Sequence, residues 1–235
     1  MIELYGETNP RDIPTYSISE AVHYLRIPAG TIRSWTVGRY YPVADGLKFF
    51  QPLIPIPDLK PRLLSFVNLV EIQVLRAFRK YHQIKLDKVR IALDFIEEHL
   101  QVSHPLANER FHTDGIDFFI EQYGSSVNVS KSGQMEIKDL VNAHLKRTEL
   151  DETGLTIKFY PFTRSHEEGN PRIVVMDPRI AFGRLVIDGT GIATRVLAER
   201  YQAGDSIDEL AYDYDCERLQ IEEAIRCEPQ PRFVA

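Results

Sequence analysis

Cysteine is scarce in this chain, since only Cys216 and Cys227 occur among its 235 residues. Two cysteines near the C-terminal end are too few for a disulfide framework, and by themselves they cannot hold a tetrahedral zinc ion. The chain is nevertheless long enough to bury a substantial apolar core. We therefore expect a fold that is stabilised by apolar packing in a reducing compartment.

Long apolar runs are also absent. No uninterrupted stretch approaches the roughly 20 residues that a membrane helix needs, and the N-terminus has no basic start followed by an apolar segment. These two absences lead us to expect a soluble protein of the cytoplasm.

The chain has no excess of positive charge, because its formal net charge is −6. This balance argues against a protein that coats nucleic acid indiscriminately. The charge is uneven, however, with 13 Lys/Arg against 11 Asp/Glu in residues 1–102 and 6 against 11 in residues 182–235. From Arg26 to Lys48 the charged residues are Arg26, Arg33, Arg39, Asp45 and Lys48. A local positive footprint of this kind is what phosphate contact requires.

The stretch from Tyr16 to Trp35 has the pattern of two short helices joined by a tight turn. Ser17 and Glu20 have capping-box spacing, and Tyr16 precedes them as an apolar staple. The predicted apolar face consists of Ile18, Ala21, Val22, Leu25, Ile27, Ile32 and Trp35. The residues predicted to face outward on the second helix are Ala29, Gly30, Arg33 and Ser34. The pattern fits either an ordinary αα-hairpin or a helix-turn-helix that presents Arg33 to a major groove.

The next segment favours the helix-turn-helix. Asp45-Gly46 is a hairpin turn signal between two short runs rich in aromatic and β-branched residues, which predicts a basic wing. A helix and a wing can contact DNA twice, once in the groove and once on the flanking backbone. The predicted DNA-binding residues are Thr31, Arg33, Ser34, Arg39, Tyr40, Tyr41 and Lys48.

Two further helices complete the predicted domain 1–102. A proline-rich connector precedes a helix whose predicted inward residues are Phe66, Leu69, Val70, Leu75 and Phe78. After a break from Gln83 to Leu86, a second helix buries Val89, Ala92, Leu93, Ile96 and Leu100. In order, SISEAVHYL, TIRSW, the wing, FVNLVEIQVLRAFRKY and LDKVRIAL resemble the winged-helix DNA-binding domain of MerR-type regulators, over about residues 16–100. Pro28 departs from that family's usual polar helix cap.

Residues 103–176 predict a small α+β region. Strands are expected in GIDFFIEQYGSSVNVSKSGQMEI, a helix in IKDLVNAHLKRTEL, and strands again in LTIKFYPF and RIVVMD. The possible metal ligands of this region are Glu109, His112, Asp114, Asp117 and Glu121. Nothing in their spacing fixes an octahedral geometry, so a solvated loop and strand edge is the better interpretation, and we expect no metal or other cofactor.

Residues 177–227 predict three short helices after a strand. Gly189-Thr190-Gly191 could cradle phosphate, but the third glycine of the dinucleotide fingerprint is missing, so a tight turn is the better interpretation. Thr194 is expected to cap the first helix and Gly204 to end it, whereas Ser206 and Glu209 form a second capping box. The third helix is expected at 217–226. The predicted core consists of Val196, Leu197, Tyr201, Ile207, Leu210, Ala211, Leu219, Ala224 and Ile225.

The C-terminal module is strongly acidic. From Asp205 to Glu228 there are nine acidic residues against Arg218 and Arg226, a net charge of −7 that would repel phosphate. We therefore assign this module to protein contact or self-association.

The segment GRLVIDGTGIATRVLAERYQAGDSIDELAYDYDCERLQIEEAIR resembles the small helix-turn-helix domain of VapB-type antitoxins, with Leu185 where that family usually has proline. Because some such antitoxins carry a winged domain in front of this module, the resemblance covers nearly the whole chain. It implies that the chain neutralises a PIN-like (VapC-type) ribonuclease toxin and represses a shared operon. The implied toxin-binding residues are Arg218, Arg226, Arg232 and Phe233, the last two in the extended tail 228–235. A guanidinium of Arg232 could replace the metal cation of a PIN active site.

Together these patterns predict an α+β fold, mainly α, with an N-terminal winged helix-turn-helix, a small α/β middle region and a C-terminal three-helix module. We expect a non-enzymatic antitoxin that dimerises on a two-fold operator. Two other hypotheses remain: a MerR-like regulator that senses a small ligand in the middle region, and a metal-dependent nuclease that uses Asp114 and Asp117.

Overall fold

The structure is a computed structural model of the chain, and it describes residues 9–58, 60–82, 89–91, 93–94, 97–98, 104–108, 135, 139, 142–143, 145–152, 154–164 and 169–228. Its helices are α1 (Ile18–Leu25), α2 (Ala29–Thr36), α3 (Phe66–His82), α4 (Thr194–Ala203), α5 (Ile207–Asp213) and α6 (Arg218–Cys227). Its strands are β1 (Arg39–Val43), β2 (Gly46–Phe50), β3 (Thr148–Leu150), β4 (Thr156–Phe159), β5 (Val174–Met176) and β6 (Leu185–Ile187). Short 3₁₀ turns lie at Pro105–Ala107 and Ala181–Gly183.

The predicted helix pair forms at α1 and α2. The capping box is confirmed, because Ser17 Oγ accepts from the Glu20 amide while the Glu20 carboxylate accepts from the Ser17 amide. The predicted inward residues Ala21, Leu25, Ile27, Ile32 and Trp35 are buried, whereas Ile18 and Val22 are half-buried. At the end of α1, Arg76 of α3 donates to the Leu25 carbonyl oxygen at 2.7 Å.

The predicted hairpin follows α2 directly. Strands β1 and β2 pair antiparallel, with Val43 opposite Gly46, so Ala44 and Asp45 form a two-residue turn. Gly46 at φ +133° continues from that turn into β2, a conformation that glycine adopts without a steric penalty. The Asp45-Gly46 signal therefore predicted the hairpin, but the turn itself lies one residue earlier, at Ala44 and Asp45.

Helix α3 lies at the centre of the main core. The predicted inward residues Phe66, Leu69, Val70 and Leu75 are buried, but so is every other residue from 66 to 75. Asn68 satisfies its buried amide by donating to the Pro55 carbonyl oxygen at 3.0 Å. Among the described helices, none is long and apolar enough to cross a membrane.

The second sheet has the order β3-β4-β5-β6, with all neighbours antiparallel. The strands predicted in LTIKFYPF and RIVVMD are confirmed as β4 and β5. The predicted division between residues 176 and 177 falls between two paired strands of this sheet, β5 and β6.

Several predictions concern residues outside those that the structure describes. They are the strands within 109–134, the break from Gln83 to Leu86, the side chains of Phe78, Ala92, Ile96 and Leu100, the candidate metal ligands Glu109, His112, Asp114, Asp117 and Glu121, and the tail residues Arg232 and Phe233.

The C-terminal helices pack around Leu197, Leu210, Ile221, Ala224 and Ile225 together with Ile187 of β6. Gly204 ends α4 at φ +118°, and the Ser206–Glu209 capping box is present, as predicted. The turn at 188–190 does join β6 to a helix.

Two predictions for this module are wrong. Val196, Tyr201 and Leu219 are 40–43% exposed instead of filling the core. Adjacent residues on a helix point about 100° apart, so Val196 and Leu197 cannot both face the same core. Thr194 does not cap α4 from outside, because it is the first helical residue and its buried hydroxyl lies 2.6 Å from the Glu228 carboxylate.

Candidate nucleic-acid interface

The exposed surface of α2 is a narrow stripe at its N-terminal half. Gly30 and Arg33 are exposed, Thr31 is half-buried, and no atom lies within 4 Å of the position that a Cβ on Gly30 would occupy. Pro28 stands at the cap position and provides no side-chain hydrogen bond, as its lack of a polar group predicts. A backbone with so little side-chain bulk can approach a ligand as large as a DNA groove closely.

Ser34 was predicted to face outward, and this prediction is wrong. Its side chain is buried, and its Oγ has no hydrogen-bond partner in the part of the chain that the structure describes. The chain returns from the hairpin to the end of α2, where the amides of Leu53 and Ile54 donate to the Trp35 carbonyl oxygen at 2.7 and 3.0 Å. The face of α2 that carries Ser34 is therefore buried, whereas Arg33 is exposed on a different face of the same helix.

The hairpin has two chemically different faces. Tyr41 pairs with Lys48 and Arg39 with Phe50 across the strands, so these side chains share one face. Tyr40 and Phe49 share the opposite face, with ring centroids 4.9 Å apart. The four predicted hairpin residues therefore do not form one surface: Arg39, Tyr41 and Lys48 lie together, and Tyr40 lies behind them.

The cations of this unit differ in their contacts. Within the described ranges, the side chains of Arg33, Arg39 and Lys48 make no ion pair. Arg26 is also exposed, but its guanidinium donates to the Thr163 carbonyl oxygen at 2.8 Å and is therefore directed towards the second half of the chain. The remaining cations are available to phosphate.

Gly38 joins α2 to the hairpin at a position where a side chain would clash with the hairpin. It has φ +84°, and an added Cβ would lie 2.5 Å from both Phe49 Cζ and the Phe50 carbonyl oxygen. Arg90 packs against the end of β2, with its guanidinium carbon 5.2 Å from the centre of the Phe50 ring. Sequence reasoning missed both residues, although a glycine directly before a strand was a signal for Gly38.

A groove of about 760 Å³ separates α1 from α4. Its polar lining includes Glu20, His23, Arg184, Arg195 and Glu228. Burial alone would raise the pKa of Glu228, but contacts with His23 and Thr194 outweigh burial and lower it. The carboxylate therefore remains charged beside His23 Nε2, which lies 3.6 Å away.

The implied toxin-binding arginines are separated along α6. Arg218 at its start pairs with Asp208 and, at 3.1 Å, with Glu222. Arg226 near its end pairs with Glu223, a fully buried carboxylate that also accepts from Arg164 at 2.6 and 2.8 Å. Eight residues of helix place the two arginines about 12 Å apart along the axis.

The acidity of the C-terminal module is compensated in part. Arg200 pairs with Asp205 at 2.5 Å and Asp213 at 2.7 Å. Asp208, Glu222 and Glu223 also have arginine partners, as described above, and Glu209 serves a capping box. Arg218 and Arg226 are already counted in the net charge of −7, so only Arg164 and Arg200 offset it further, and the surface remains negative.

Comparison with known proteins identifies one family that matches the C-terminal part of the chain. A family described as "Protein of unknown function (DUF433)" matches residues 174–226. This range begins at the first residue of β5 and ends within α6, so it covers β5, β6 and the three C-terminal helices.

Individual relatives match almost the whole chain. A Mycobacterium tuberculosis protein named "Putative antitoxin VapB45" is 28% identical over 91% of this chain and 93% of its own length. "Uncharacterized protein Rv2308" of the same organism is 22% identical over 93% of this chain and 91% of its own. The crystal structure of Rv2018 from Mycobacterium tuberculosis is 24% identical and superposes with a TM-score of 0.68, covering 91% of this chain and 98% of that one. The chain thus shares its fold with Rv2018, and it is similar over nearly its full length to a protein named as an antitoxin.

Proposed function

We propose that this chain is the antitoxin of a type II toxin–antitoxin pair and that it represses its own operon by binding operator DNA. The observation that carries the antitoxin role is the similarity to "Putative antitoxin VapB45" across 91% of the chain. On this proposal the chain has no enzymatic activity of its own and acts through two binding partners, a toxin and a DNA duplex.

The DNA-binding role rests on the α2–hairpin unit. Arg33 projects from the exposed stripe of α2, while Arg39, Tyr41 and Lys48 share one hairpin face. In this arrangement α2 enters a major groove with Arg33 towards the bases, and the hairpin cations contact the flanking phosphates. Because one short helix reads few base pairs, the chain would bind as a homodimer to a two-fold operator.

The toxin-binding role is assigned to the C-terminal module and the tail 228–235. Arg218 and Arg226 already have carboxylate partners within the module, so a toxin would have to displace those partners to bind them. The inhibitory role therefore falls to Arg232 and Phe233, with the Arg232 guanidinium entering the carboxylate cluster of a PIN-like ribonuclease.

A pull-down of the intact protein from its native cytoplasm tests the partner. Nuclease treatment removes proteins that are bridged by DNA, and mass spectrometry identifies what remains. We expect a stoichiometric, small PIN-like protein. Recovery of the chain only with itself, when the neighbouring gene is expressed, would contradict the antitoxin role.

A ligand-responsive regulator is the second candidate, and the groove between α1 and α4 favours it. Its volume of about 760 Å³ lies within the range of small-molecule sites. This hypothesis expects a small molecule to change DNA affinity in the absence of any protein partner, which the antitoxin hypothesis does not require.

A further inference from the structure

The turn between β5 and β6 is held in an unusual backbone conformation. Ala181 and Phe182 are consecutive non-glycine residues with φ +48° and +54°, a left-handed region that L-residues seldom occupy. The turn is closed by the amides of Gly183 and Arg184, which donate to the carbonyl oxygens of Ile180 and Ala181 at 2.9 and 3.1 Å. Such strain persists only where surrounding contacts hold it.

Those contacts are with the first turn of α1. Tyr16, the residue before the α1 cap, donates its hydroxyl proton to the Gly183 carbonyl oxygen at 2.9 Å in a buried setting. The guanidinium of Arg184 pairs with the Glu20 carboxylate, which also completes the α1 capping box. We call Tyr16, Glu20, Gly183 and Arg184 the bracket.

The other end of α1 is attached to the same half of the chain. Arg26, which ends α1, donates to the Thr163 carbonyl oxygen at 2.8 Å, and His23 Nε2 lies 3.6 Å from the Glu228 carboxylate. Helix α1 in turn packs on α2 through the buried residues Ala21, Leu25 and Ile32. Helix α1 therefore connects the C-terminal half of the chain to α2.

We propose that the bracket positions the recognition helix, so that operator binding by α2 depends on the C-terminal module. This inference rests on the DNA-binding part of the proposed function. Tyr16, Glu20, Gly183 and Arg184 are positioning residues, since they act on DNA through α1 and α2.

The Arg184–Glu20 pair is the best place to test the bracket. Arg184 is about half exposed, and ion pairs at such sites contribute little to global stability, so its variants should fold. Glutamine at position 20 keeps the capping box but removes the charge. Glu20→Gln therefore breaks the bracket contact without removing the helix cap.

The experiment measures fluorescence anisotropy of a labelled duplex from the promoter of the chain's own gene, with a scrambled duplex of equal length as competitor. Arg184→Gln and Glu20→Gln should each lower affinity for the promoter duplex by about 3- to 5-fold, which is near the upper limit of what a half-exposed ion pair contributes. The double variant should lose no more affinity than either single variant, because all three variants remove the same Arg184–Glu20 contact. Arg195→Gln, which removes an exposed arginine paired with Glu199 in the same groove, is the matched control and should bind as the unsubstituted chain does.

A second readout does not depend on DNA. Trp35 is the only tryptophan, lies on α2 and is 3% exposed. If the bracket holds α1 and α2, Arg184→Gln should increase acrylamide quenching of Trp35 and speed amide exchange in α1 and α2 at temperatures where the chain is fully folded. Arg195→Gln should change neither.

The two readouts distinguish a failure of the bracket proposal from a failure of the DNA-binding proposal. Unchanged Trp35 quenching and unchanged promoter affinity in Arg184→Gln would overturn the bracket. Fully additive losses in the double variant would also overturn it. If the unsubstituted chain binds no promoter duplex, the DNA-binding proposal fails, and the bracket's hold on α2 is then decided by quenching and amide exchange alone.

Discussion

Tyr16 and Gly183 are joined by a buried hydrogen bond of 2.9 Å although 167 positions separate them in sequence. The glycine carbonyl oxygen accepts this bond at a point where the tyrosine side chain lies directly against the Gly183 backbone. Burial raises the pKa of Tyr16 above its ordinary value, so the hydroxyl remains a donor throughout the physiological range.

This close approach predicts that Gly183→Ala is unusually destabilising. At φ +74° alanine is strained by about 1 kcal/mol, and its Cβ would lie 2.0 Å from Tyr16 Oη, which should add about 1–3 kcal/mol. Gly189→Ala is the matched control, because Gly189 has φ +78° with no atom within 4 Å of the added Cβ. Equal losses in the free energy of unfolding, measured by urea denaturation, would contradict the close approach.

Arg33 and Lys48 should affect DNA binding in different ways. Arg33→Ala should weaken promoter binding by about 1–3 kcal/mol and relax sequence specificity, because Arg33 contacts base edges in the proposed arrangement. Lys48→Ala should weaken binding to all duplex sequences by a similar factor. It should also make the slope of log K against log salt concentration shallower by about 1, because one phosphate contact is lost. Titrations of the promoter and scrambled duplexes at several salt concentrations measure both effects. The interface is misplaced if neither variant changes binding.

Ser34 provides the complementary prediction for α2. Its buried Oγ has no partner in the described structure, so Ser34→Ala removes an unpaired polar atom and should leave the free energy of unfolding unchanged or raise it by up to about 1 kcal/mol. Promoter affinity should not change, because the residue is covered. A loss of affinity comparable to that of Arg33→Ala would show that the face of α2 that carries Ser34 does reach DNA.

His104 should make stability depend on pH. Its ring Nδ1 lies 3.2 Å from the buried Glu71 carboxylate, and this hydrogen bond raises the pKa above 6.5 more strongly than burial lowers it. A raised folded-state pKa means that the stabilisation is fully present below pH 6.5 and is lost as pH rises through the folded-state value. The loss amounts to about 1.4 kcal/mol for each unit by which the pKa is raised.

The check is urea unfolding between pH 5.5 and about 9. The free energy of unfolding should decline over this range in the unsubstituted chain, and His104→Gln should remove that decline. If the free energy of unfolding declines with pH in His104→Gln as it does in the unsubstituted chain, His104 is not the cause of the decline.

Local signals in the sequence predicted local structure well. The Ser17–Glu20 and Ser206–Glu209 capping boxes are present, and the Asp45-Gly46 signal predicted the hairpin to within one residue of its turn at Ala44 and Asp45. Such signals specify where a helix or hairpin begins without reference to the rest of the fold.

Contacts between distant segments could not be predicted in this way. Ser34 has outward helical spacing, yet its side chain is buried near the point where the connector returns to Trp35. Arg26 belongs to a basic stretch but donates to the Thr163 carbonyl oxygen. The charge count of the C-terminal module included Arg218 and Arg226 but missed Arg164 and Arg200, which lie outside that segment and pair with its acids.

Only the locally encoded part of the candidate site could be predicted from the sequence. Arg33, Arg39 and Lys48 were found because exposure and charge are visible in a pattern, and they are exposed. The bracket was not found, since Tyr16 and Gly183 meet only after the chain has folded.

The most direct test of the central claim is to titrate the chain into the purified nuclease encoded beside it and to measure cleavage of an RNA substrate. The proposed function predicts that cleavage falls to background at an equimolar ratio, and that Arg232→Ala needs a clear excess while Arg195→Ala behaves as the unsubstituted chain does. Full nuclease activity in the presence of excess chain would contradict the antitoxin role.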